Sequence, residues 1–287
     1  MKGINVSRFC EGFNDGDFVF DGCFDNTKIN PETHQIHWPD ITLESFFTQI
    51  AEWFQEIDIP LDEQEYYTGK FNTLCASLQT IMQNNQYPSD LFDDLGFGSY
   101  KECYETGIPR WVIKFASSAN PTKEEIKGLD DAKENDMLHL LPKTYYFDLP
   151  YSIPLGLLEP EPNPEYEGDD DEAPEAWINQ FADCIILQEQ CKNMIDYCEG
   201  NNEEFKIVAE NGETVELNGE ILKRADVLSL NWIDETWLIL VLEKYGQSGL
   251  LQLNNFLEEF GWDDLRPANI GVNSQGNPVI FDWMSPQ

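Results

Sequence analysis

Basic side chains are scarce in this chain. Its 287 residues carry 17 Lys and Arg against 54 Asp and Glu, a formal net charge of −37. Such a field repels phosphate backbones and anionic lipid headgroups, so neither direct nucleic-acid binding nor membrane-surface binding is expected, and a basic protein partner is favoured. The plain counterpart is that excess charge keeps a protein soluble by self-repulsion. Long apolar runs are also missing. No segment reaches the length of a membrane span, and the opening residues, MKGINVSRFCEGFNDG, lack the apolar stretch of a signal peptide. A cytoplasmic location is expected.

Histidine is limited to three residues, and no Cys-x-x-Cys pair occurs. His34 and His37 form one His-x-x-His beside Trp38, without the further ligands a zinc site needs, and read as turn decoration. The seven Cys are scattered and odd in number, with Cys184, Cys191 and Cys198 at seven-residue steps. That usage suits reduced thiols better than a disulfide framework.

What the chain does have is enough apolar and aromatic content, 41% and 13%, to fold around a core. Its length suits one large domain or two small ones. Residues 1 to about 90 open with short aromatic, Asp- and Gly-rich segments of strand character, DFVFDGCF among them. Two amphipathic helices follow. Residues 43–57 place Phe46, Phe47, Ile50, Trp53 and Phe54 on one face, and residues 66–83 place Tyr67, Phe71, Leu74, Leu78 and Met82 on another. The stretch LFDDLGFGSYKECYETGIPRWVIKFAS alternates as strand, turn and strand. A helix is expected around residues 123–141, then strands near 144–158. Residues 159–175, EPEPNPEYEGDDDEAPE, hold nine acidic residues and four Pro, a composition that builds no core and reads as a solvated insert. CIILQEQC is a buried-strand candidate, a hairpin is expected around Asn211-Gly212, and residues 225–260 are helical in pattern.

Chemistry enters through the order of the polar motifs. Phosphate transfer from a nucleotide needs backbone N–H groups around the phosphates, a cation beside them, metal-binding oxygens and a base for the acceptor. Gly96 and Gly98 sit at the tip of an expected hairpin, where the backbone can approach phosphates closely. Lys114 stands in WVIKF, and a Lys among Val112, Ile113 and Phe115 demands a partner if it points inward; Glu134, on the next expected helix, is a candidate. A surface Lys on an edge strand is the structural alternative. Near the end, Asp264, Asn269 and Asp282 surround a Gly-punctuated turn and an apolar run.

These motifs, quoted in order, resemble the protein-kinase-like phosphotransferases. LGFGSYKECYE resembles the glycine-rich loop, VIK the strand with the nucleotide lysine, IILQEQ the strand entering the adenine hinge, DDLRPAN the catalytic loop and IFDW the metal-binding Asp motif. The eighteen-residue step from Asp264 to Asp282 matches the family's spacing, and there is a further likeness to short kinase-like proteins of tailed phages, for which the location would be the host-cell cytoplasm. The resemblance implies an α+β, bilobal kinase-like fold: an N-terminal extension of unknown role at 1–90, a small antiparallel-sheet N-lobe at 91–190 with the acidic insert at 159–175, and a reduced helical C-lobe at 191–287. It implies ATP and Mg²⁺ as cofactors. Asp264 would orient or deprotonate the acceptor, Asn269 and Asp282 would hold Mg²⁺, and Lys114 with Glu134 would contact the phosphates. Leu95 and Val112 would cover the base beside Gly96 and Gly98, and backbone from Glu189 to Cys191 would meet its edge.

Departures accompany the likeness. Lys101 replaces the third glycine of the loop, Trp262 stands two before Asp264 where His is common, and Trp283 and Met284 follow Asp282. The chain stops five residues after Asp282, so no activation loop or peptide-binding helices are expected. Three function classes follow. One is an active phosphotransferase on an unknown acceptor. The second is a pseudokinase that binds nucleotide or a protein without chemistry. The third is an acidic inhibitor that mimics nucleic acid in a basic groove.

Overall fold

The computed structural model describes residues 41–97, 101–116, 128–155, 181–201, 214–223, 230, 233–262 and 265–281. The strand-like segments before residue 41, the His34 and His37 pair, the acidic insert and Asn211-Gly212 lie outside them. The architecture is α+β, with helices and several antiparallel sheets. By its contacts the chain divides into two compact units, Met1–Ala119 with Tyr145–Leu187 and Asn120–Thr144 with Gln188–Gln287.

Among the described residues, the first unit begins with α1 (Leu43–Glu56) and α2 (Gln64–Asn84). Thr42 and Ser45 cap α1 reciprocally: the Ser45 amide donates to the Thr42 hydroxyl at 3.1 Å and the Thr42 amide to the Ser45 hydroxyl at 3.0 Å. Two otherwise orphaned N–H groups are thereby satisfied, which fixes where the helix starts. Asn85 ends α2 in the left-handed conformation, φ 52°, which Asn tolerates better than most residues. Strands β1 (Asp94–Phe97), β2 (Lys101–Glu105), β3 (Trp111–Ala116), β4 (Thr144–Pro154) and β5 (Phe181–Glu189) form a sheet in the order β1-β2-β3-β5-β4. The β1/β2 and β2/β3 pairs are antiparallel. So are β4 and β5, because Lys143 accepts from the Glu189 amide at one end while Ser152 reaches Asp183 at the other.

One face of this sheet is backed by the two helices. Phe46, Ile50 and Trp53 of α1 and Leu74, Leu78 and Ile81 of α2 are buried with Ile113 and Phe115 of β3, Leu149 of β4 and Ile185 and Leu187 of β5. Trp53 meets Trp111 edge-on at 5.3 Å. Burying each such side chain contributes roughly 1.5–3 kcal/mol before chain entropy is counted. The alternation of β3 then sets Val112 and Lys114 on the opposite face of the sheet from Trp111, Ile113 and Phe115.

The second unit contains α3 (residues 128–134), β6 (Lys192–Asn193), α4 (Met194–Asn201), β7 (Thr214–Leu217), β8 (Glu220–Lys223), α5 (Glu235–Phe260), β9 (Ile270–Val272) and β10 (Pro278–Ile280). Two expected elements are corrected here. The helix expected through 141 ends by residue 134, since Asp136 is left-handed at φ 57° and a single 3-10 turn, Leu138–Leu140, follows. A hairpin turns at Asn218-Gly219; the one expected around Asn211-Gly212 lies outside the described residues. Both residues of the Asn218-Gly219 turn have positive φ, 48° and 81°, as a type I′ turn requires. The flanking Val215, Leu217 and Leu222 supply the buried alternation. The expected 225–260 helix starts at Glu235, where the Asp234 carboxylate accepts the Trp237 amide at 2.9 Å and caps it. It bends at Gly246, whose φ of 70° and ψ of −177° are not helical, and stops at left-handed Gly261. No helix among the described residues is long and apolar enough to cross a membrane.

Candidate functional site

The Gly-bearing hairpin is built as β1 and β2. Its register slips between Asp94 and Gly96, so the strand carries a bulge, and Gly96 adopts φ 137° with open space where a side chain would stand. Only glycine takes that conformation freely. The Asp94 carboxylate accepts the Gly96 amide at 2.8 Å and holds the bulge. Leu95 is exposed, 44%; Gly98 lies outside the described residues. On β3, opposite Cys103 of β2, Lys114 is 7% exposed and Val112 6%. A lysine so deeply placed in an apolar strand is costly unless its charge is compensated, which sets it apart from an ordinary surface Lys on an edge strand. Glu134 is exposed on α3 in the second unit.

The segment Glu189–Cys191 leaves β5 and enters β6. The Glu189 amide is engaged by the Lys143 carbonyl at 2.8 Å, and its own carbonyl accepts the Cys191 thiol at 3.3 Å. None of the five described cysteines, Cys191 among them, is in a disulfide. The Glu189 carboxylate accepts the Ser274 hydroxyl at 3.3 Å, so the turn between β9 and β10 touches this segment.

The polar end of the chain is organised as a three-stranded sheet, β10-β9-β6, antiparallel throughout. Residues 266–269 make a turn closed by the Asn269 amide on the Arg266 carbonyl at 2.7 Å, and the Pro267 carbonyl accepts the Met194 amide at 3.0 Å. The turn is thus tied to the first residue of α4, itself capped by the Asn193 side chain on the Asp196 amide. Ile270 pairs with Ile280, and one step outward the Phe281 amide donates to the Asn269 carbonyl at 3.0 Å. Asn269 is 6% exposed. Asp264 and Asp282 lie outside the described residues. Trp262, two before Asp264, is 4% exposed and meets Phe256 of α5 edge-on at 4.7 Å.

An amide oxygen at 269 and a carboxylate at 282 would be oxygen ligands of the kind Mg²⁺ takes. Among the described residues, no group of three or more His, Cys, Asp and Glu side chains could hold a metal ion.

Sequence reasoning did not single out two features. Gly271 is the first. A Cβ there would come 2.0 Å from the Lys192 carbonyl oxygen, and its own carbonyl receives the Trp237 indole N–H at 3.0 Å. The signal was available, because a glycine inside the apolar run Ile-Gly-Val marks close backbone approach. The second is a buried polar cluster in the first unit, where the Ser152 hydroxyl donates to Asp183 at 2.5 Å. Burial foremost, then the neighbouring Asp183 charge, push the Asp148 carboxyl up to about 7. No local pattern announces it, since Asp148 and Asp183 come from neighbouring strands far apart in sequence.

No protein-family model matches the chain, and no curated protein matches it. What the site does is therefore carried by its own residues.

Proposed function

We propose that this chain is a protein-kinase-like phosphotransferase that uses ATP and Mg²⁺ to modify an acceptor hydroxyl, in a reduced bilobal fold. The observation that carries the proposal is the backbone pair between Asn269 and Phe281. It brings the residue assigned to metal binding beside the residue that immediately precedes Asp282. Two oxygen ligands thirteen positions apart in sequence are needed together by a nucleotide-bound metal, and a tight hairpin is the economical way to join them. The buried Lys114 on the third strand, after a glycine-bulged hairpin, gives a second line of support.

In this reading Lys114 carries the positive charge onto the nucleotide phosphates. Gly96 and Gly98 let backbone N–H groups approach those phosphates, and Leu95 and Val112 cover the base. Segment Glu189–Cys191 meets the base edge. Asn269 and Asp282 hold the cation, which when bound neutralises phosphate charge. Asp264 accepts the acceptor's proton as its oxygen bonds to the γ-phosphorus and ADP leaves. The acidic composition favours a basic protein partner.

ADP formation by the purified protein tests the reading. Mg-ATP should be turned over slowly, and Asp264→Asn should lower the rate by about a hundredfold or more while leaving nucleotide binding nearly intact. Tight Mg-ATP binding with no ADP formed would favour the inactive nucleotide binder. A protein that binds no nucleotide, but loses a basic partner when surface carboxylates are neutralised, would favour the acidic inhibitor.

A further inference from the structure

The hairpin that bears Asn269 is held at one residue from two directions. On one side, β6 pairs with β9 at Asn193 and Gly271 and at Lys192 and Val272. The missing side chain at Gly271 lets the Lys192 backbone lie where a Cβ would be, 2.0 Å from its carbonyl oxygen. On the other side, the fully buried Trp237 of α5 donates its indole N–H to the Gly271 carbonyl at 3.0 Å. Trp237 is fixed in turn, because its own backbone amide is bound by the Asp234 cap. Gly271 is two residues beyond Asn269, and its cross-strand partner Val279 is two before Phe281. The position of both metal-flanking residues is therefore set by whether this strand keeps its place between β6 and α5.

We infer that Trp237 is a positioning residue for the proposed metal site: its hydrogen bond to the Gly271 carbonyl holds β9, and with it Asn269, in place. This rests on the phosphotransferase reading of Asn269 and Asp282. The physical argument is that Mg²⁺ tolerates little departure from octahedral geometry, so a small rotation of one strand costs metal affinity long before it unfolds the protein. A purely structural tryptophan would lower stability but leave the metal requirement where it was. Outer-shell groups that orient ligands act in the way proposed here.

Trp237→Phe keeps most of the ring and deletes the N–H. The measurement is a titration of ATP binding against Mg²⁺ concentration, read by the shift in unfolding temperature, on wild type and variant. The Mg²⁺ concentration for half-maximal effect should rise about threefold to tenfold, with metal-free ATP behaviour unchanged. An unchanged half-point, or a loss that is the same with and without Mg²⁺, overturns the inference while leaving the phosphotransferase reading intact. A wild-type protein that shows no Mg²⁺-dependent ATP binding overturns both. Should Trp237→Phe fail to fold, wild type itself carries the test through amide and indole hydrogen exchange. Mg-ATP should slow exchange of the Trp237 indole together with the Phe281 amide, and an indole indifferent to Mg-ATP contradicts the inference.

Discussion

The Phe281 amide donates to the Asn269 carbonyl at 3.0 Å, one step beyond the last strand pair of the β9–β10 hairpin. The bond uses backbone, so the Asn269 side chain is not needed to make it. Asn269→Ala should therefore preserve the hairpin, at a cost of about 1–2 kcal/mol for the lost side-chain interactions. If Asn269 holds the cation as proposed, Mg²⁺-dependent ATP binding should weaken about tenfold or more, because an oxygen ligand would be gone. Chemical denaturation and ATP titration on the same sample separate the two effects.

Gly271→Ala should destabilise the protein. The new methyl would meet the Lys192 carbonyl oxygen at 2.0 Å and its carbon at 2.8 Å, both backbone atoms that no side-chain rotation can move. Overpacking of this kind costs typically about 1–3 kcal/mol. Gly276→Ala, in the adjacent turn, meets no atom within 4 Å but has φ 75°, so its cost should come from backbone strain alone, about 1 kcal/mol. Urea midpoints of the two variants compare steric clash with conformational strain on one hairpin.

Stability should depend on Asp148. Its folded pKa is raised from 3.8 to about 7, by burial first and by the Asp183 charge second. A raised carboxyl favours the protonated native state, so its contribution is fully present below about pH 4 and is lost as pH rises through about 7. Asp148→Asn should flatten that slope, leaving stability similar to wild type near pH 4 and higher than wild type near pH 8. Equal pH slopes in wild type and variant, followed by urea unfolding, would remove Asp148 as the cause.

Deleting residues 162–174 from the acidic, Pro-rich insert should change unfolding free energy by about 0.5 kcal/mol or less, since such a tract offers little apolar surface to bury. The net charge becomes less negative, so binding of a basic partner should weaken and become less salt-sensitive. A large drop in unfolding temperature would mean that the tract packs.

Much of the fold was legible because it is written locally. The stripe Phe46, Ile50 and Trp53, the alternation in WVIKF and the Gly-bearing hairpin each announce an element by spacing alone. The hairpin at Asn218-Gly219 was not singled out, although Val215, Leu217 and Leu222 bury one side of its strands. The bend at Gly246 was hidden inside an otherwise helical pattern. At the site, the order of Asp264, Asn269 and Asp282 was readable, and so was the turn between the latter two. The clamp on Gly271 was not, because Trp237 lies 34 residues away in sequence and only the packing of α5 brings it there. Asp148 reads in sequence as one more acidic residue in an acidic chain; it is half-buried on β4, the strand beside β5.

The most direct measurement is the unfolding temperature of wild type and Asp282→Asn with ATP alone, Mg²⁺ alone and both together. Asp282 as a ground-state metal ligand requires that ATP and Mg²⁺ together stabilise wild type, by about 2.7 kcal/mol at about a hundredfold excess over Kd, and that Asp282→Asn lose most of this gain while Asp264→Asn keeps it. No stabilisation of wild type, or the same stabilisation in all three proteins irrespective of Mg²⁺, would contradict the proposed metal-nucleotide site.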